Sequence, residues 1–307
     1  MTDRIPFRAS PMLATLVGEP FDRPGWTYEE KYDGYRILAY KEGTRVRLVS
    51  RNDKDRTDSF RGVAAAIALL PDRTLLLDGE AVVFDRKGVS RFQLLQRGGE
   101  TAFAVFDCLY RNGRDLRGEP LAVRRKEAAE ALRGAPESLF LSRRLASNGL
   151  AAYREAKRRG FEGLVAKDES SRYEGRRSTK WLKVKVHQEE ELVVAGYTPP
   201  KGSRENLGAL LLGAYRGREL VYVGKVGTGF TADTLAALAK TFRPIVRAKP
   251  PFAHPPREKG AIWLAPRLVA QIAFQEWTAD GKLRQPVFLG LRDDKKPSEC
   301  RLPARFA

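Results

Sequence analysis
The chain has 307 residues, enough for one large core or two moderate ones, and two domains is the expectation. Hydrophobic residues make up 42% and charged residues 31%, a globular balance that excludes a disordered or fibrous chain. Lys plus Arg number 56 against 38 Asp plus Glu, a formal net charge of +18 that points to a polyanionic partner, nucleic acid before anionic membrane.

Met1 to Pro6 lack the basic flank, apolar stretch and small-residue cleavage site of a signal peptide. Strand-like runs follow at Trp26 to Tyr40, Arg45 to Ser50, Leu75 to Phe84 and Phe103 to Tyr110. Between them Ser59 to Leu70 reads as a helix that Pro71 stops. Pro120 to Arg133 and Gly149 to Arg159 have helical spacing with basic outer faces, and Gly163 to Asp168 and Trp181 to Val186 return to strand. The polar run His187-Gln188-Glu189-Glu190-Glu191 separates two apolar strands and places a domain boundary there. Beyond it come strands at Leu192 to Tyr197, Ala209 to Tyr215 and Glu219 to Lys225, with Gly217 turning between the last two. Thr231 N-caps a helix to Phe242, a proline-rich stretch spans Pro244 to Pro256, and strands near Leu268 to Trp277 and Val287 to Leu291 close the chain. Roughly five strands and one helix suit a small Greek-key barrel of the oligonucleotide-binding (OB) type, and an SH3-like barrel fits the pattern almost as well.

No apolar run approaches the roughly 18 residues that span a bilayer. Cys108, inside an apolar run, reads as core, and Cys300, near the tail, as exposed. Two thiols make no disulfide framework, so a reducing cytoplasm is expected. His187 and His254, far apart and without cysteine pairs, exclude a structural zinc site. There is no Gly-x-x-x-x-Gly-Lys-Ser/Thr loop, and Gly227-Thr228-Gly229 is a glycine pair on a turn with a phosphate cradle as its lesser reading.

The sharper signal is Glu29-Glu30-Lys31-Tyr32-Asp33-Gly34-Tyr35-Arg36, which offers an amine, acids, a flexible turn and a guanidinium at the mouth of a strand. A lysine attacks phosphorus only when neutral, and nearby cations or desolvation move it toward that state. Arg36 suits a phosphate by its forked donors. Taken alone, Asp33-Gly34 reads equally well as a hairpin turn with solvated charges.

With the blocks that follow in order, the sequence resembles the covalent nucleotidyltransferases and, among them, the ATP-dependent DNA ligases. These blocks are Lys31 to Arg36, Ser50-Arg51-Asn52, Leu77-Asp78-Gly79-Glu80, Phe103 to Asp107, Glu162 to Lys167, Trp181 to Lys185, and Arg292-Asp293-Asp294-Lys295. Gly208 to Gly213 with Val223 to Phe230 is similar to the ligase module of bacterial end-joining ligase D. The resemblance implies an α+β fold, with an antiparallel-sheet nucleotidyltransferase (ATP-grasp-like) domain over 1–187 and an OB-fold β-barrel over 188–307.

It also implies roles. Lys31 would be the nucleophile that forms a phosphoramidate with AMP. Glu29 would sit by the adenine, largely through its backbone; Phe106 would stack on that base, and Val165 would line its pocket. Arg36 and Arg51 would grip ribose and phosphates, and Arg177 the nucleotide phosphate. Glu80 would contact ribose or metal, and Glu162 would hold Mg2+ (or Mn2+) through a hard oxygen. Lys167, Lys183 and Lys185 would ring the α-phosphate, and alternation puts the last two on one strand face. Arg292, Asp294 and Lys295, on a mobile second domain, would orient the pyrophosphate leaving group. Bland alternatives stand beside these: Phe106 as core, the acids and lysines as a solvated face, Arg172 to Lys180 as a stretch that tracks DNA, Trp181 as core.

The implied partners are nicked or broken duplex DNA and an end-binding protein of the Ku type, with a monomeric enzyme on the nucleoid. Only 30 residues precede Lys31, too few for the helical DNA-binding domain of larger ligases. Two cysteines favour ATP over NAD, whose ligases carry a four-cysteine zinc site. The rival readings are an RNA ligase or GTP-using capping enzyme, and a non-catalytic basic nucleic-acid-binding protein.

Overall fold
In the computed structural model, residues 4–186, 188–200 and 206–306 are described. The chain divides into two units, Met1–Val186 and His187–Ala307. His187 itself, which opens the polar run expected to mark the boundary, lies outside the described residues, as do Met1 to Asp3.

The first unit runs β1 (Leu13–Leu16), β2 (Trp26–Lys31), β3 (Tyr35–Glu42), β4 (Arg45–Ser50), α1 (Arg61–Ala68), β5 (Thr74–Val82) and α2 (Phe92–Gln96). It continues with β6 (Ala102–Arg111), β7 (Arg114–Asp115), α3 (Leu121–Ala131), β8 (Leu139–Leu141), α4 (Gly149–Arg159), β9 (Gly163–Asp168) and β10 (Arg177–Lys185). The run expected as strand from Trp26 to Tyr40 is two strands, broken where Asp33-Gly34 turns the chain from one sheet into the other.

One sheet has the order β4-β3-β5-β6-β7 with β8 on β6, and the other β1-β10-β9-β2. Alternation decides what each strand buries. Ile37, Ala39, Leu75 and Leu77 face a core shared with Val63 and Ile67 of α1. Leu38, Tyr40 and Leu76 face a second core with Met12, Phe106 and Trp181. Covered on both sides, the middle of the larger sheet is mostly apolar, with the buried acids Asp78 and Asp107 set among its aliphatic residues.

The expected antiparallel sheets prove mixed: most ladders are antiparallel, but β1 lies parallel to β10 and β8 parallel to β6. For β6 and β8 the reason is α3, which carries the chain back across the sheet as a parallel pair requires. The expected basic outer face of α3 is corrected too: Arg124 and Arg125 are buried.

The second unit runs β11 (Glu189–Tyr197), β12 (Leu210–Arg216), β13 (Glu219–Val226), α5 (Ala232–Phe242) and β14 (Val246–Arg247). It ends with β15 (Ile262–Ala273), β16 (Glu276–Trp277), β17 (Leu283–Arg284) and β18 (Val287–Arg292). Its sheet has the order β13-β12-β11-β15-β14, with β18 also on β15, and its ladders are antiparallel. Among the described residues no ladder joins the ends of this path, so the expected closed barrel is not found.

Thr231 caps α5, its hydroxyl accepting from the Thr234 N–H at 3.2 Å. Leu235, Leu238 and Phe242 of that helix then close one face of the sheet. On the other face Cys300 is 3% exposed among Val193, Leu211 and Val269, which corrects the reading of an exposed thiol; burial pushes it up to about 12. Glu189 to Glu191, in the polar run at the boundary, form the start of β11 on the β15 ladder; the Gln271 amide donates to Glu189 at 2.6 Å and Lys295 pairs with Glu191 at 3.4 Å. Gly227-Thr228-Gly229 is no open phosphate cradle. Gly229 has φ +90°, and a Cβ there would lie 2.2 Å from the Phe288 carbonyl oxygen, so the turn packs on β18. Among the described residues no helix is long and apolar enough to cross a membrane.

Candidate active site
The site starts from the register of three strands. Lys31 of β2 lies opposite Gly163 of β9, which lies opposite Lys185 of β10. The next row on the same face is Glu29, Val165 and Lys183, and the third is Thr27, Lys167 and Trp181. Residues paired across strands share a face. Two residues apart along each strand, these rows therefore put Lys31, Lys183, Lys185 and Lys167 on one side of the sheet. Gly163 lets the strands close up between Lys31 and Lys185: a Cβ there would lie 2.1 Å from the Val184 carbonyl oxygen.

Lys31 forms an ion pair with Glu162, the residue that leads into β9. Burial pushes the Glu162 carboxyl up, but Lys31, Lys185 and Lys183 outweigh it and hold the group below its ordinary value. Its charge is thus kept by three lysines from two strands.

Beside it, Glu29 is 1% exposed, and its carboxylate accepts from Arg125 at 2.6 Å, from the Ser142 hydroxyl at 2.5 Å and from Lys167 at 2.8 Å. Burial raises the Glu29 pKa, yet Lys167 and Arg125 bring it below the usual carboxylate range. Lys167, nearly dry, has its own pKa lowered by desolvation, while Glu29 opposes that loss. The Lys167 ammonium also lies 4.4 Å from the Phe106 ring centroid and 4.3 Å from that of Trp181.

The larger sheet supplies the opposite wall. Arg36 of β3 faces Glu80 of β5, and its guanidinium is held by Asp78 at 2.5 and 2.7 Å. Tyr173 donates to the same carboxylate at 2.6 Å. Arg36 thus lines the cleft with its guanidinium anchored on Asp78 through Nε and Nη2. It lies 4.2 Å over the Phe106 ring, so the ring expected to stack a base already carries two cations. Trp181 is core, at 1% exposure.

The turn of the lysine motif is not a solvated hairpin. Gly34 packs so closely on β5 that a Cβ would lie 2.2 Å from the Ala81 carbonyl oxygen. Asp33 accepts from the Phe92 N–H at 3.0 Å, at the first turn of α2, while its own N–H donates to Ser90 at 3.0 Å. The motif's aspartate thus fixes the turn that aims Lys31.

Together these walls enclose a cleft with ≈ 740 Å³ of open space, part of it continuous with solvent. Six basic side chains (Lys31, Arg36, Arg51, Lys167, Arg177 and Lys183) line it against Glu29, Glu30 and Glu80. Such an excess at the end of a strand suits a polyanion with a reacting phosphorus near Lys31. The structure brings these residues together with Phe106 and Val165, and keeps Lys185 and Glu162 beside Lys31. Arg292, Asp294 and Lys295 form a cluster within the second unit. Arg292 donates to Asp294 at 2.8 Å through two nitrogens and to Gln271 at 2.8 Å, and both members of that pair are buried.

Sequence reasoning missed Arg125, Ser142, Tyr173 and the pairing of Asp78. Asp78 carried a signal, as an acid inside an apolar strand. Arg125 carried none, sitting in a helix rich in charge.

Residues 11–185 match the family described as ATP dependent DNA ligase domain, and residues 203–295 that described as ATP dependent DNA ligase C terminal region. The multifunctional non-homologous end joining protein LigD of Pseudomonas aeruginosa is 40% identical over 303 residues, covering 94% of this chain and 36% of that protein. The multifunctional non-homologous end joining DNA repair protein LigD of Mycobacterium tuberculosis is 39% identical over 301 residues, covering 94% and 39%. The chain therefore spans little more than a third of these curated relatives. A solved structure of mycobacterial DNA ligase D complexed with ATP and MES has 36% identity and a TM-score of 0.74, covering 96% of this chain and 98% of that one.

Proposed function
This chain belongs to the ATP-dependent DNA ligase family, and from that premise we propose that it seals nicks or breaks in duplex DNA through a lysyl-AMP on Lys31. The observation that carries the reading is the Lys31 amine, set against Glu162 beside a cleft with six basic and three acidic side chains. Three displacements make up the cycle. The Lys31 ammonium first gives one proton to solvent; its nitrogen then forms a bond to the α-phosphorus of ATP as the bond to the pyrophosphate oxygen breaks, and a second proton leaves the nitrogen for solvent. A 5′-phosphate oxygen at the break then displaces the lysine, giving DNA-adenylate and a free amine. Finally the 3′-hydroxyl oxygen attacks the 5′-phosphorus, AMP leaves with the electron pair, and the strand is continuous. The covalent intermediate splits one hard step into easier ones.

Lys183, Lys185 and Lys167 neutralise charge that builds at phosphorus, supported by the rows they share with Lys31 and Glu29. Arg51 and Arg177 take ribose and phosphate, Glu80 the ribose, and Phe106, Val165 and Glu29 the adenine; Arg36 serves as the wall that holds Phe106. Among the described residues no cluster of three or more metal-ligating side chains occurs, and the candidates are single carboxylates. That fits Mg2+ (or Mn2+), which binds through one or two carboxylates plus substrate phosphates. Glu80 and Glu162 would hold it, and when bound it supplies neutralisation of phosphate charge. For the pyrophosphate we assign Arg292, Asp294 and Lys295; Arg292 pairs with Asp294 and Lys295 with Glu191, so binding there exchanges these partners for phosphate oxygens.

Residues 1–187 would be the nucleotidyltransferase domain and 188–307 an OB-type module, the latter supported by its antiparallel sheet with one helix. The likeness to end-joining proteins supports work at DNA ends; a monomer on the nucleoid, recruited by an end-binding protein of the Ku type, completes the proposal. The +18 charge supports non-specific, salt-dependent contact with duplex backbone. Sealing of nicked DNA, nicked RNA and capping of diphosphate-ended RNA are compared in one assay. Activity on DNA alone is expected; preference for either RNA substrate overturns the reading.

A further inference from the structure
Two adjacent arginines of α3 are buried, and they serve different ends. Arg124 pairs with Asp107 inside the core. Arg125 turns toward the cleft: its Nη1 donates to Glu29 at 2.6 Å and to the Ser142 hydroxyl at 2.9 Å, and its Nη2 donates to the Ser142 carbonyl at 2.6 Å. Ser142 is fixed in turn by β6, its N–H donating to the Val105 carbonyl at 2.6 Å. The Ser142 hydroxyl and Lys167 Nζ meet on the other oxygen of Glu29, at 2.5 and 2.8 Å. The side chains of Arg125, Glu29 and Lys167 are 7%, 2% and 3% exposed. Two cations and one anion held almost dry are costly, and well-packed apolar groups would stabilise the fold as well or better. Stability alone does not account for them.

We propose that Arg125 and Ser142 are positioning residues for nucleotide transfer, acting through Glu29 to hold the Lys167 ammonium at the floor of the cleft. This rests on the ligase reading above. Lys167 lies against Phe106 and Trp181, where burial works to strip its proton. Glu29 is the chief group that opposes that, with Asp107 helping and the Arg125 charge acting the other way; Glu29 stays charged because Lys167 of β9, Arg125 of α3 and Ser142 beyond β8 all favour its carboxylate. Asp107 also acts on Lys167, and the Tyr32 phenol lies near Glu29. Take away Arg125 or Ser142, and burial pushes Glu29 toward its neutral acid, which holds an ammonium poorly. Arg125 and Ser142 touch no substrate themselves.

The test is single-turnover formation of lysyl-AMP from α-labelled ATP, from about pH 3.5 to pH 8.5, in wild type, Ser142→Ala, Arg125→Met and Arg125→Lys. Ser142→Ala and Arg125→Met are expected to move the acid limb upward by about one pH unit, with a roughly 10-fold loss at its foot, because fewer contacts favour the carboxylate. Arg125→Lys recovers most of that loss. Near-ultraviolet circular dichroism reports folding; if Arg125→Met fails to fold, the smaller Ser142→Ala change carries the test. An acid limb that stays in place, with rates lowered equally at every pH, overturns the proposal. A wild type that takes no label overturns the ligase reading and this proposal together, whereas a labelled wild type beside unmoved variants overturns only this one.

Discussion

Asp107→Ala is a demanding test of how the first unit is held together. Asp107 and Arg124 are wholly buried, and the guanidinium meets the carboxylate at 2.8 and 2.9 Å. Burial raises the Asp107 pKa more than Arg124 lowers it, so desolvation consumes much of what the pair gains by attraction. Removing the carboxylate alone leaves a dry guanidinium with the Glu119 and Ser171 carbonyls, at 2.5 and 2.8 Å, and the Tyr173 ring as neutral neighbours. The expected loss is about 3–5 kcal/mol. At about 2–4 °C per kcal/mol for a unit of this size, Tm of the first unit falls by roughly 6–20 °C. The double change Asp107→Leu with Arg124→Met removes both charges and recovers most of that loss. Urea unfolding of wild type, both singles and the double closes a thermodynamic cycle. A loss under about 1 kcal/mol for Asp107→Ala, or a double variant weaker than either single, refutes the reasoning.

Three further outcomes follow from the same geometry. Burial pushes the Glu30 carboxyl from 4.5 up to about 7 against the pull of Arg143, so the folded state binds its proton more tightly than the unfolded chain. Stability is then fullest below about pH 4.5 and falls by at most ~3 kcal/mol as pH rises through 7; Glu30→Gln flattens that fall, read from urea midpoints at about pH 5 and 8, and parallel curves would contradict it. Gly34→Ala forces a Cβ onto the Ala81 carbonyl oxygen at 2.2 Å, and overpacking of this kind costs about 1–3 kcal/mol. The turn must shift, and label uptake on Lys31 drops with it; unchanged uptake would show the turn to be soft. In the second unit, Asp294→Ala strands the buried Arg292 and costs about 3–5 kcal/mol, whereas Lys295→Ala breaks a partly exposed pair and costs no more than about 1 kcal/mol, as thermal unfolding will report.

Local pattern made much of the fold legible. Helices α1, α4 and α5 carry apolar spacing with clear stops or caps, and period-two runs gave most of the longer strands. The convergence of Lys183 and Lys185 was readable from alternation within one strand. That Lys31 joins them across Gly163 was not, because register between β2 and β9 is set by contacts more than 130 residues apart in the chain. The short strands β1 and β8 were missed for the same reason: each adds to a sheet edge built elsewhere and has little pattern of its own. Arg124 and Arg125 read as solvated charge because a helix wheel does not show which acids wait in the core. Cys300 read as exposed from its place near the tail, yet the chain there returns to pack on β15. The ordered blocks of acids and lysines revealed the family, and their partners (Asp78 for Arg36, Ser142 and Arg125 for Glu29) needed three dimensions.

The most direct measurement is incubation with α-labelled ATP and Mg2+, followed by denaturation, proteolysis and mapping of the labelled peptide. Label on the peptide that contains Lys31, absent from Lys31→Ala, is the predicted result. Label on any other residue, or none on the folded wild type, would contradict the account.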